Sequence, residues 1–252
     1  MSELDYKIAG DRGVLIYFGG EVGQETFQRI WSFNESLLES NLPGVEETVP
    51  GYVTLFISYE PSVTDYDTLV YQLKQLAQNP PSREYARQVL FEIPIVYDGP
   101  DLPIVSKLLN VSEEEVIERH LGDDYLILVT AFIAGIAQHK FKDKLFDLPR
   151  KKTPTIPPDA GISVAAGLGA VIGRQPLEKQ GRSPSGWWYI GRTPIRQWLP
   201  DSDPPVLLKA GDWIRYKRID ADEFDRIAQE VDRGAYELKV CGTEIIARAL
   251  QQ

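Results

Sequence analysis

The chain has a single cysteine, Cys241, and only two histidines, His120 and His139. One cysteine can neither close an intramolecular disulfide nor build a cysteine zinc site, which points to a reducing compartment. His139 has no second histidine or close carboxylate pair beside it, so it reads as a surface residue and no metal site is expected. Cations are also short, with 27 Lys and Arg against 37 Asp and Glu, a formal charge of −10. Nucleic-acid surfaces need clustered Lys and Arg that outnumber nearby acids, so no DNA or RNA partner is expected. The densest basic run, Arg150-Lys151-Lys152 with Lys140, Lys142 and Lys144 upstream, is broken by Asp143 and Asp147 and reads as a solvated loop. No basic stretch followed by an apolar segment opens the chain, and no apolar run is long enough to cross a bilayer, so a cytoplasmic location is expected. The sequons at Asn34 and Asn110 are then chance matches.

What is present is an ordinary globular mixture, 43% hydrophobic and 25% charged over 252 residues, long enough for two domains. Gly10-Asp11-Arg12-Gly13 marks a turn before the apolar stretch Val14 to Phe18. From Gln24 to Ser40 the residues Phe27, Ile30, Trp31, Phe33, Leu37 and Leu38 recur at three and four, the period of a half-buried helix. Val45 to Val49 and Val53 to Tyr59 read as strands, and Tyr66 to Leu76 returns to helical spacing. The prolines of Asn79-Pro80-Pro81-Ser82 end that helix and place a boundary between an α+β domain over 1–80 and a second domain over 81–252.

In the second domain Val89 to Tyr97 is strand-like, but Pro94 demotes it to an edge strand or to the strand that enters the domain. Two helical pieces follow, Leu102 to Leu109 and Glu113 to His120, the latter opened by a Ser112/Glu115 capping box. Tyr125 to Thr130 is strand, and the recurrent Gly and Pro as far as Gly211 suit many short strands in a barrel or sandwich. Phe224, Ile227, Ala228 and Val231 make a last helix stopped near Gly234, before a strand from Tyr236 to Val240. Gly167, Gly169 and Gly173 imitate a dinucleotide fingerprint without the framing βαβ unit, and tight turns explain them better.

Ordered landmarks then resemble one family. They are Gly10-Asp11, Tyr17-Phe18-Gly19, the run from Gly44 to Tyr52, Ile93-Pro94 with Gly99-Pro100-Asp101-Leu102, His120 followed by Tyr125, and Ala210-Gly211-Asp212. The most specific is Ser183-Pro184-Ser185-Gly186-Trp187-Trp188-Tyr189-Ile190-Gly191-Arg192-Thr193-Pro194, which is similar to an S-P-G-G-W…I-G-R-T-P signature. The family is that of the 5-oxoprolinase B subunit, also called allophanate hydrolase subunit 1 or the KipI type. The resemblance implies a ferredoxin-like α/β domain followed by a cyclophilin-like β-barrel. It also implies a C-type partner, and ATP-dependent opening of 5-oxoproline or related amide and carboxyl-transfer chemistry in the complex. Some members of the family instead inhibit a histidine kinase. It assigns no cofactor to this chain itself.

Carried over residue by residue, the resemblance makes His120 and Arg192 the candidate catalytic residues. Trp187, Gly186, Thr193 and Gly135 become the candidate substrate or partner contacts. At a helix C-terminus the dipole favours a charged His120, and capping is the alternative role. Three loops depart from the family pattern, at 131–139, 154–163 and 166–174, where Thr155, Ile162 and Gly169 replace arginine, serine and glutamine. Losing fixed polar donors costs transition-state stabilisation, so weak or absent catalysis is expected, with a regulator that binds a kinase or another complex as the alternative.

Overall fold

The protein, seen in a computed structural model that describes residues 4–78, 89–133, 135–156, 159–174 and 184–241, is α+β with two sheets. It divides into two compact units, Met1–Ala86 and Arg87–Gln252. The Asn79 to Ser82 breaker lies outside the described residues.

In the first unit β1 (Asp5–Ile8), β2 (Gly13–Tyr17), β4 (Thr54–Tyr59) and β3 (Val45–Pro50) form one antiparallel sheet in the order β1-β2-β4-β3. α1 (Gln24–Ser40) and α2 (Tyr66–Gln78) pack on it. Alternation along β2 and β4 sends Val14, Ile16, Leu55 and Ile57 to one face, where they meet Ile30, Phe33 and Leu37 of α1 and Leu69 and Leu73 of α2. Each such side chain contributes about 1.5–3 kcal/mol of burial. Gly13 is required at the β1–β2 hairpin, because a Cβ there would sit 2.3 Å from the Ala9 carbonyl oxygen and 2.7 Å from the Phe56 ring. α1 ends where Asn41 turns left-handed, a conformation asparagine adopts more readily than most residues.

The second unit has an eight-stranded sheet in the order β10-β8-β9-β7-β6-β11-β5-β12. Its elements in chain order are β5 (Leu90–Ile95), α3 (Leu102–Leu109), α4 (Glu113–Leu121), β6 (Asp124–Thr130), β7 (Ile136–Lys140), β8 (Gly161–Ala165), β9 (Leu168–Ile172), β10 (Trp188–Arg192), β11 (Trp213–Arg218), α5 (Ala221–Asp232) and β12 (Val240–Cys241). All pairs are antiparallel except β5 with β11.

The expected barrel is not closed in this ladder order. Its flanks approach through one antiparallel bridge, Val96 to Arg192, continued by the Gly99 and Asp101 amides donating to Ile190 and Tyr189. Of the two readings of Pro94, β5 is the strand that enters the second unit and not its edge, because it lies between β11 and β12. Pro94 falls in the gap between the β12 pairing at Leu90 and Phe91 and the bridge at Val96, where no ladder bond is demanded of it. The final strand begins at Val240 rather than Tyr236. Before it, Tyr236 and Leu238 pack against the core while Lys239 alone accepts a ladder bond, from the Glu92 amide.

Candidate functional site

β10 and the residues beside it, Gly186, Trp187, Arg192 and Thr193, carry four of the six candidates, and two other segments pin the strand. On one side Arg192 pairs with Gly161 of β8, and on the other the Val96 and Arg192 amides and carbonyls exchange two bonds of 2.9 Å. Close approach demands glycine here. A Cβ on Gly191 would lie 2.6 Å from the Val96 oxygen, and one on Gly99 would lie 2.3 Å from the Ile190 carbonyl carbon. The Arg192 guanidinium grips Asp98, Nε donating to Oδ1 at 3.0 Å and Nη2 to Oδ2, and its carbon lies 4.6 Å over the Phe224 ring. The hydrogen bond to Asp98 holds the guanidinium pKa above its ordinary value. Its fork is thus filled by a local carboxylate. Thr193, wholly buried, donates its amide to Ala160 at 3.1 Å.

At the other end of β10 lies a feature that the residue pattern did not announce. Lys151 is not solvated: its side chain is 7% exposed and its Nζ contacts Asp101 Oδ2 at 2.5 Å, with Asp101 itself 9% exposed. The same ammonium donates to Thr155 Oγ1 at 2.8 Å and lies 5.4 and 5.6 Å from the Trp188 and Tyr189 ring centres. Asp101 Oδ2 also accepts the Tyr189 amide at 2.7 Å.

The strand start is strapped by the basic loop. Lys151 N donates to the Gly186 oxygen at 2.8 Å, Thr155 N to Ser185 at 3.0 Å and Trp188 Nε1 to Pro149 at 2.7 Å. Trp187 is half-buried with Arg150 5.8 Å from its ring centre, and its amide donates to Ser185 Oγ. The sequence carries no signal for this pair, because the burial of Asp101, which makes it need a cation, is set by the fold.

The two histidines sit deeper. His139 is not on the surface; both it and His120 are 0% exposed. Tyr97 Oη lies 2.8 Å from His120 Nδ1, and Tyr216 Oη lies 2.8 Å from His139 Nε2. Burial pushes the His120 pKa well below its ordinary value, with a further push from His139, and burial pushes His139 down to about 3. Desolvation therefore overrides the helix dipole that was expected to charge His120. The Gly122 amide, not the imidazole, caps the helix at the Arg119 carbonyl.

Gly135, in the β6–β7 turn with φ +84°, is separated from β10 by β7, β9 and β8 and is not brought to the same place. Gly167 is no phosphate cradle: Ala166 and Gly167, with φ +53° and +73°, form the two-residue turn between β8 and β9. Among the described residues there is no group of three or more His, Cys, Asp or Glu placed to hold a metal, and no helix long and apolar enough to cross a membrane.

Residues 4–208 match the family described as carboxyltransferase domain, subdomain C and D. The chain belongs to this family. Within it, the chain is 28% identical over 235 residues to the 5-oxoprolinase B subunit of Bacillus subtilis, covering 88% of this chain and 95% of that protein. It is 29% identical over 213 residues to the Escherichia coli O157:H7 protein of the same name, covering 83% and 93%. Among solved structures TTHA0988 is similar with a TM-score of 0.69 at 28% identity, over 83% of this chain and 40% of that one. The Kluyveromyces lactis urea carboxylase shares the fold with a TM-score of 0.78 at 16% identity, over 94% of this chain and 24% of that one. The chain thus spans less than half of either solved protein.

Proposed function

We propose that this chain is a B-type component of an ATP-dependent 5-oxoprolinase or allophanate-hydrolase-type complex, active only with a C-type partner. The reading is supported most by relatives named as the 5-oxoprolinase B subunit, which the chain matches over more than nine-tenths of their length. In this reading 1–80 is a ferredoxin-like domain and 81–252 a cyclophilin-like barrel completed by the Val96–Arg192 bridge, and the protein works in the cytoplasm.

The site is the β10 rim, where Arg192, Trp187, Gly186 and Thr193 meet substrate or partner. His120 acts from behind through Tyr97, whose neighbour Asp98 holds Arg192. ATP is a substrate of the assembly and is assigned to no residue of this chain. Turnover is slow, because Thr155, Ile162 and Gly169 stand where the family carries polar donors. Lys151, donating to Thr155, keeps one cation in that neighbourhood.

The test is co-expression with a C-type partner, followed by co-purification and ATP-dependent 5-oxoproline hydrolysis. A stable complex with slow hydrolysis is expected. Failure to form any complex sinks the B-type reading, and hydrolysis at the rate of ordinary family members sinks the slow-turnover part.

A further inference from the structure

Both histidines of the chain occupy one enclosure in the second unit. His120 comes from the last turn of α4 and His139 from β7, and the walls are Tyr97, Tyr125, Phe141, Phe146 and Tyr216. His120 lies 4.3 Å from Tyr216 and His139 lies 4.4 Å from Tyr125, ring centre to ring centre. Each imidazole bonds one tyrosine hydroxyl; the other nitrogen of His120, Nε2, is buried with no hydrogen-bond partner, and that of His139, Nδ1, is buried with only a weak contact to the Lys140 backbone. A neutral ring tolerates this with an unprotonated nitrogen facing apolar atoms. An imidazolium does not, since both its nitrogens carry protons and its charge is desolvated.

The carboxylates of the surrounding elements are either exposed to solvent, as Glu113 and Glu118 of α4 and Asp147 are, or already paired. Beside α4, Asp143 is taken by Arg119 and Glu114 by Arg218; at the start of β6, Asp123 pairs with Lys142 and Asp124 with Arg215; after β5, Asp98 is held by Arg192. Behind His139, Gly169 of β9 approaches so closely that a Cβ would fall 2.4 Å from the ring, so the imidazole cannot retreat.

We propose that His120 and His139 form an acid-operated latch, in which a proton on either ring opens the enclosure and frees the Val96–Asp98 segment that holds the end of β10. The link is short. Tyr97, the partner of His120, stands between Val96, which bridges to Arg192, and Asp98, which grips the Arg192 guanidinium. The latch goes beyond the proposed activity and does not depend on it.

The sign follows from burial. Both imidazoles have folded pKa values below the unfolded one of roughly 6.5. Their contribution is fully present above that pH and is lost as pH falls below it. For each histidine the ratio of closed to open molecules falls about tenfold per pH unit below the unfolded value. Carboxylates in general titrate below this range, so the window between about pH 6.5 and 5 belongs to the imidazoles.

Hydrogen exchange of the full chain at pH 7.5 and pH 5, corrected for intrinsic rates, tests the latch. Protection in peptides over 93–101 and 188–193 is expected to fall at least about thirtyfold for one histidine, while peptides over 14–18 and 55–59, in the unit that has no histidine, keep theirs. His120→Gln and His139→Gln are each expected to flatten that pH dependence. Should the variants not fold, imidazole proton NMR of the unaltered protein decides: the latch predicts that rings titrate only together with loss of protection. Rings that titrate near pH 6.5 with the segment still protected, unchanged protection at pH 5, or equal loss in both units would overturn it.

Discussion

Replacing Lys151 by methionine keeps the length of the side chain and removes its charge. In the structure this strands Asp101, whose side chain is 9% exposed and whose Oδ2 then keeps only the Tyr189 amide at 2.7 Å. Breaking a buried ion pair by deleting one partner costs about 3–5 kcal/mol, because the remaining charge stays desolvated. For a unit of this size that is a fall in Tm of roughly 6–20 °C.

Asp101→Asn is expected to cost less, about 2 kcal/mol, because the amide oxygen still accepts from Tyr189 and the orphaned ammonium keeps Thr155 and two aromatic faces. The double variant carries no unpaired charge and is expected to be more stable than Lys151→Met alone, a coupling of at least about 2 kcal/mol. Urea denaturation followed by tryptophan fluorescence reads the transition directly, since Trp188 packs against Lys151. The exposed pair Arg218–Glu114, 50% and 56% exposed, is the control and is expected to contribute under about 1 kcal/mol. If Lys151→Met costs no more than that control, the pair is not buried in solution and the strap over β10 is not held as described.

Gly169→Ala is expected to destabilise the second unit by about 2–4 kcal/mol, read as a lowered Tm, since its Cβ collides with a wholly buried imidazole and disturbs the Tyr216 bond. Leu73→Ala, at a wholly buried α2 position, is expected to cost about 2–5 kcal/mol, seen as faster hydrogen exchange across β2 and β4. Ser112→Ala removes the oxygen that accepts the Glu115 amide at 3.1 Å and is expected to cost about 1 kcal/mol by chemical denaturation.

Local pattern made the regular elements legible, with α1 running from Gln24 to Ser40 as its apolar spacing predicts and Ser112 capping α4. It failed where the deciding partner is distant in the chain. Nothing near Lys151 announces Asp101, and nothing near His139 announces Tyr216 on β11, so a charge and an imidazole that read as surface residues are buried. Tyr236 to Lys239 has strand-like composition, but whether it pairs depends on β5, which offers a ladder only from Glu92 back to Leu90. The β10 signature was readable because it is long, and the role of each of its residues was not, because that role is set by the segment around Val96.

The signature divides into residues the packing requires and residues it leaves free. Ser183 lies outside the described residues. Gly191 is forced by the Val96 carbonyl, Tyr189 fills the space that Gly161 leaves with a Cβ position 2.4 Å from its ring, Ile190 is wholly buried, and the Thr193 amide is spent on Ala160. These positions would be demanded in any chain that folds this way, whatever its chemistry. Trp187 and Arg192 differ, since each keeps part of its surface and meets a side chain rather than backbone, Arg150 in one case and Asp98 in the other. An Arg–Asp pair at this exposure contributes little stability, so its two-point grip is a poor reason by itself to place an arginine there. If the rim does chemistry or holds a partner, Arg192 exchanging Asp98 for another carboxylate is the step that needs no rearrangement of the strand beneath it.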